Sequence, residues 1–302
     1  MSSHNNTPQY NNYIKHAQKF IKHNKKGAAI NLYERMLFTL NLSDINTQYI
    51  EKQINTLNMY SSTENIYPSG YAVIIDTRIH EAFKLIINNI KLILPDNWRV
   101  IFMCGTNNYK WVRDTFPDIR IINTRKASIS VDEYSRMLKS PHFWNTFNDV
   151  EKVLLFQLDT LVNPNSKHKL EDFLCYDYIG APWSEKQHQI WPPLPYYGGN
   201  GGFNLSSVKM RLDIIKKYGE KSTIPVEDIF FSRELINSNY RVAPSHIAKT
   251  FSVETEFYPE PLAAHKPWKY LTAEQVSLLE NNMPGLATIK TANINISINI
   301  NS

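Results

Sequence analysis

Two cysteines, Cys104 and Cys175, are too few and too far apart for a disulfide scaffold or a CxxC motif. They read as reduced thiols in a cytosolic setting, Cys104 lying in an apolar run as a core residue. Glycine is scarce at 10 residues, which excludes collagen-like and glycine-rich designs. No run of about eighteen apolar residues occurs, and the opening MSSHNNTPQYNN lacks an apolar h-region, so neither a membrane span nor a secretion signal is expected. Strong charge of one sign is missing as well. Lys and Arg total 33 against 28 Asp and Glu, a net charge of +5, and part of the excess sits in Lys15, Lys19, Lys22, Lys25 and Lys26. That cluster reads as a solvated helix face, and no nucleic-acid partner is expected. What is present is apolar and aromatic: 42% hydrophobic residues, with 17 Tyr, 14 Phe and 6 Trp, enough for one large core plus a smaller appendage.

The hydrophobic period divides the chain. From Tyr13 to Leu57 it is helical, with Ala17, Phe20 and Ile21 in one stripe and Ala28, Leu32, Met36, Leu37 and Leu40 in another. GAAINLYERML in this region is like one helix of a tetratricopeptide unit, but no second copy follows, so a solenoid is not expected. SSTENIYPSG (61–70) is a turn-rich linker. Beyond it, short apolar runs alternate with amphipathic segments. YAVIID (71–76), RVIFMCG (99–105), IRIINT (119–124) and KVLLFQLD (152–159) read as buried strands. Helices are expected over 81–94, ended by Pro95, over YKWVRDTF and over 131–147. Such alternation predicts a mostly parallel sheet with helices on both faces, and ligands bind beyond the carboxyl ends of its strands. Asp76, Gly105 and Asp159 fall at those ends. After Asp172 the pattern loosens into Trp-, Pro- and Gly-rich loops suited to an acceptor site. The last stretch, TANINISININ, alternates as an edge strand would, but with no other cue it reads as a flexible tail. The expected division is 1–65 helical appendage, 66–275 α/β domain and 276–302 tail.

Four constellations carry candidate chemistry. Gln157 and Asp159 close an apolar strand, where a carboxylate is costly unless a cation compensates it; a cap on the following NPNS turn is the equal alternative. GGNGGF (198–203) concentrates four glycines, which let backbone N–H groups approach a phosphate or sugar, or simply make a hairpin. Glu227 and Asp228 open an amphipathic helix, either as dipole-favoured acids or as a pair with one general base and one cap. In AAHKPW (263–268), His265 with Lys266 joins a metal-binding imidazole to a cation able to neutralise a departing diphosphate.

The order FQLD, DYIGAPW (177–183), GNGGF, EDIFF and HKPW resembles the domain-of-unknown-function family of glycosyltransferase-like proteins from bacteria and giant viruses, over about Tyr71 to Tyr270. HKPW is also similar to the metal-binding end of glycogenin-like enzymes. The resemblance implies a GT-A fold, a nucleotide-sugar-binding Rossmann-like half joined to an acceptor half, in a cytoplasmic protein, or in host cytoplasm or virion for a viral member. It implies Mn²⁺ or Mg²⁺ held by Asp159 and His265, a nucleoside-diphosphate-sugar donor, and a glycan, protein or small-molecule acceptor. Donor contacts would come from Asp76, Arg78, Gln157, Trp183 (stacking on the sugar), Asn200, Gly201, Gly202 and Lys266. Asp228, beside Glu227, would deprotonate the acceptor hydroxyl, which predicts inversion, although glycogenin-like enzymes retain configuration. Gln157 departs from the family pattern by replacing the first acid of the usual DxD motif, which should weaken metal affinity. A non-catalytic carbohydrate- or nucleotide-sugar-binding protein with the same fold is the alternative. A Rossmann dehydrogenase or methyltransferase is disfavoured, because Thr77-Arg78-Ile79 follows the first strand where a glycine-rich turn is needed.

Overall fold

A computed structural model describes residues 8–23, 29, 32, 33, 36, 40, 42, 44–59, 69–190, 199–236 and 238–300. Residues 61–68 of the expected 61–70 linker, most of GAAINLYERML, and Gly198 lie outside the described residues.

Nine strands are formed among the described residues: Gly70–Ile75 (β1), Trp98–Cys104 (β2), Arg120–Asn123 (β3), Lys152–Phe156 (β4), Thr160–Val162 (β5), Tyr178–Gly180 (β6), Phe203–Ser207 (β7), Ser252–Val253 (β8) and Ala263–His265 (β9). Six make one sheet in the order β3-β2-β1-β4-β7-β6. The first four strands are mutually parallel, and β7 runs antiparallel to both β4 and β6. The four expected strands are present, each within a residue or three of its expected bounds. β6 and β7, expected as loops, extend the sheet.

Continuous apolar strands follow from burial on both faces. Ala72, Ile74, Phe102, Leu154 and Phe156 share one core with Phe83, Ile86, Ile87 and Ile90 of helix Ala82–Lys91. Their alternates Val73, Ile101, Met103, Val153 and Leu155 pack on the opposite face against Trp144, Met210, Ile214, Phe230 and Phe231. Each such Val, Leu, Ile, Met or Phe side chain stabilises by about 1.5–3 kcal/mol, and Phe83 meets Phe102 edge-on at 5.1 Å. The helices expected over 131–147 are Val131–Leu138 and Pro141–Asn145, divided because Pro141 cannot continue a helix and instead occupies a first turn capped by Ser140. Upstream, helices Pro8–Lys22 and Asp44–Met59 contribute to a separate buried cluster of Tyr10, Ala17, Ala29, Tyr33, Met36 and Ile50.

The expected C-terminal tail needs correction. Helices Ala273–Asn282 and Leu286–Ile300 occupy it, and Val276, Leu279, Met283, Leu286 and Ile289 are buried, the last four in the main core. The strict alternation in TANINISININ suggested strand or tail, whereas a 3–4-residue step through Leu279, Met283, Leu286 and Ile289 supplies a helical stripe that begins before it.

Two topological features position the cleft. The chain leaves β1 toward β2 on one side and returns on the other as β4, so order reverses between β1 and β4, where open α/β sheets bind ligands. A second sheet, β5-β9-β8, crosses just beyond the end of β4. Its register sets Thr160 opposite His265 and Val253 beside Ala264, which brings Asp159, His265 and Glu254 into neighbouring rows.

Candidate active site

A cleft of about 1020 Å³ opens at the carboxyl ends of β1 and β4. Its walls include Asp76, Arg78, Gln157, Asp159, Asn200, Gly201, Gly202, Glu227, Asp228, His265 and Lys266, so all but one of the expected site residues converge there. Trp183 is the exception. It lies between β6 and helix Glu185–Ile190, and the aromatic walls of the cleft are Tyr134 and Trp268 instead.

The floor is built on the second sheet. His265, 1% exposed, directs Nε2 toward Asp159 Oδ1 at 3.1 Å and Gln157 Oε1 at 3.2 Å. Its other nitrogen, Nδ1, lies 3.1 Å from Oε1 of Glu254, which is 2% exposed. That last contact is electrostatic and lacks hydrogen-bond alignment. Burial alone would raise the Asp159 carboxyl and lower the His265 imidazole. The opposite charges prevail, so Asp159 is held below the usual carboxylate range by His265 and Lys266, and His265 is raised by Asp159 and Glu254. Lys266 follows the same balance, with Asp159 and Glu254 outweighing its burial. Its backbone is left-handed (φ 35°), and its N–H donates to Asp159 O at 2.8 Å, locking the turn beside the ion pair.

The glycine run is needed by this floor. A Cβ at Gly202 would come within 2.1 Å of His265 Cε1, and Gly199 adopts φ +131°. Gly202 N–H donates to Asn200 Oδ1 at 2.6 Å, and Gly202 O accepts from Thr160 Oγ1 at 3.1 Å. Gly201 N–H donates to Asp228 Oδ2 at 3.1 Å.

The adjacent acids divide. Glu227 is buried and accepts from Ser135 Oγ at 2.5 Å, tying its helix Glu227–Leu235 to Val131–Leu138. Asp228 is only partly buried, takes the Gly201 N–H and borders the cleft. Burial first, and the Glu227 charge second, push its carboxyl up to about 7. Tyr134, beside them, is raised mainly by burial and then by Glu227, with a hydrogen bond to Gln157 opposing.

At the β1 end, Asp76 is committed internally. Its Oδ1 accepts from Arg78 N at 2.8 Å and Nε at 2.9 Å, and its Oδ2 from Nη2 at 2.5 Å. Arg78 is therefore the more open member at the cleft, its side chain 46% exposed and its pKa raised chiefly by those bonds. Asn108, fully buried, donates to the backbone oxygens of both and fixes their turn.

Sequence reasoning missed Glu254, Tyr134, Ser135 and the cleft-lining position of Trp268. Glu254 is a strand-end acid like Asp159, but its strand has two residues and gives no periodic signal. Among the described residues no group of three or more His, Cys, Asp or Glu side chains is arranged around one cation position, and none of their helices is long and apolar enough to cross a membrane. Asp159 and His265 nevertheless present a carboxylate oxygen and an imidazole nitrogen side by side, with Gln157 supplying an amide oxygen, a donor set that suits Mn²⁺ or Mg²⁺ completed by ligand oxygens. Glu254 lies behind Nδ1, on the side from which a carboxylate would orient the imidazole if Nε2 held a cation.

No curated protein matches the chain. Residues 118–265 match the model of a family described as a protein of unknown function (DUF5672), a span that holds every carboxylate of this cleft and its floor except Asp76.

Proposed function

We propose that the protein is a GT-A-type glycosyltransferase that moves a sugar from a nucleoside-diphosphate donor to an acceptor hydroxyl. The observation that carries this reading is the meeting of Asp159 and His265 at 3.1 Å on the floor of a cleft at the sheet's topological switch point. A divalent ion bound by those two residues, with Gln157 alongside, would act as a Lewis acid toward the diphosphate. Glu254, 3.1 Å from Nδ1, electrostatically favours the His265 orientation that presents Nε2. Lys266 and Arg78 bring positive charge to the phosphates, and Asp76 serves by bracing Arg78. The Gly201 and Gly202 backbone lets the sugar approach, and Trp268 or Tyr134 offers the apolar ring face expected earlier of Trp183. Asp228, its carboxyl raised into the neutral range, accepts the proton of the acceptor hydroxyl, while Glu227 holds the helix in place. A single displacement with Asp228 as base gives inversion.

The test is release of nucleoside diphosphate from UDP- and GDP-sugars in the presence of Mn²⁺, with proton NMR reading the anomeric configuration of the product. Release that disappears in Asp159→Asn supports the proposal. A second reading, a non-catalytic nucleotide-sugar- or carbohydrate-binding protein, is favoured by Gln157 standing where a second acid would strengthen the cation site. Tight donor binding with no release from any donor would select it.

A further inference from the structure

Behind the cleft wall, and not lining it, Arg211 is 1% exposed on helix Val208–Tyr218. Among the described residues it forms no ion pair, an expensive state for a buried cation. Three aromatic rings surround it, with the guanidinium carbon 3.9 Å from the Phe231 centroid, 4.8 Å from Tyr178 and 4.9 Å from Trp144. Nη1 has no hydrogen-bond partner, whereas Nη2 and Nε are both directed to β7. Nη2 donates to Asn204 Oδ1 at 2.9 Å and to Ser206 Oγ at 2.8 Å, Nε donates to the same Oγ at 3.1 Å, and Ser206 Oγ donates on to Asn204 Oδ1 at 2.8 Å.

With its oxygen occupied by two donors, the Asn204 amide can turn only its Nδ2 outward, and this donates to Gly201 O at 2.6 Å. Gly201 is the residue whose N–H meets Asp228, and the next residue lies against the His265 ring with no room for a Cβ. The relay from Arg211 through Asn204 therefore ends on the segment that separates the acid pair from the His265 floor.

We propose that Arg211 and Asn204 are positioning residues: the caged guanidinium orients the Asn204 amide, which pins the Gly201–Gly202 segment between Asp228 and His265. An aromatic cage alone would be filled as well by a methionine. What methionine cannot do is donate to Asn204 and Ser206, so the cation is retained for its hydrogen bonds. This inference concerns the geometry of the cleft wall and stands apart from which reaction the cleft performs.

The test uses full-length protein labelled with ¹⁵N-glycine, whose ten glycines keep the amide spectrum resolvable. Amide hydrogen exchange at Gly201 and Gly202 is compared in the wild type, Arg211→Met, Arg211→Lys and Asn204→Ala, alongside the thermal midpoint of each. Arg211→Met should fill the cage and stay folded, yet accelerate exchange at Gly201 and Gly202 by at least about tenfold, with other glycine amides unchanged. Asn204→Ala should give the same local signature through loss of the last link, and it carries the test if Arg211→Met does not fold. Arg211→Lys, which keeps a donor, should recover part of the protection. A lowered thermal midpoint with Gly201 and Gly202 exchange unchanged, or exchange raised equally at all glycines, would show Arg211 to be a core-packing residue only and overturn the proposal.

Discussion

Replacing Gly202 by alanine tests the architecture of the floor with the smallest possible change, one methyl group. That methyl would lie 2.1 Å from Cε1, 2.2 Å from Nε2 and 2.5 Å from Nδ1 of His265, all short of ordinary contact at 3.4 Å. The imidazole must withdraw by more than ~1 Å, well beyond the few tenths of an ångström that packed side chains concede easily. It is 1% exposed and held between Asp159 and Glu254, so a shift of that size takes both 3.1 Å contacts out of range or forces Gly202 away from Thr160. Breaking a buried charged pair costs about 3–5 kcal/mol. Gly202→Ala should therefore lower the free energy of unfolding by several kcal/mol in urea denaturation and abolish any Mn²⁺-dependent rise of the thermal midpoint. Gly201→Ala is the comparison: its methyl meets Glu227 Oε1 at 2.9 Å and Asp228 Cβ at 3.3 Å, a milder overlap than 2.1 Å, so the loss should be smaller. A Gly202→Ala protein within about 0.5 kcal/mol of wild type, still responding to Mn²⁺, would refute the close approach of the glycine run to His265.

The Asp228 carboxyl, raised in the folded state, binds a proton that the unfolded chain releases, so its contribution to stability is fullest at low pH and is lost as pH rises toward about 7. Stability should fall as pH rises through that window, and Asp228→Asn should flatten the fall in unfolding curves taken from pH 4 to 8. Under the proposed function, the same variant should abolish transfer to an acceptor while leaving donor binding measurable by calorimetry. Glu254→Gln should weaken Mn²⁺ affinity by about 10–100-fold, read by isothermal titration, whereas an unchanged affinity would remove Glu254 from the site. Leu286→Ala should cost about 2–5 kcal/mol, because Leu286 is fully buried in the main core; an effect below about 0.5 kcal/mol in urea denaturation would remove the start of helix Leu286–Ile300 from that core.

Much of the fold was legible because two-faced burial leaves unbroken apolar runs. The segments around YAVII, VIFMC and VLLF declare themselves as strands, and the acids that follow two of them fall at the carboxyl edge where a ligand is expected. β6 and β7 were hidden because Gly180, Asn204, Ser206 and Ser207 mimic a loop in composition, although Asn204 and Ser206 pair with each other and with Arg211. Trp183 was misjudged because an aromatic near a motif need not face the same cavity. Asp76 was expected at the ligand, and Arg78, two residues on, occupies both its oxygens. That pairing depends on a turn held by Asn108, about thirty residues away, which no local pattern reveals.

The sequence by itself determined the alternation of strands and helices, the parallel half of the sheet and the identities of the chemical groups at its edge, since these depend on periodicity and on residue type at strand ends. Only the tertiary structure decided which groups meet. Asp159 and His265 are over a hundred residues apart and become neighbours through the register of β5 on β9, while Glu254 joins them through the pairing of β8. Hydrogen bonding between distant strands sets those rows, and a linear pattern has no means of recording it.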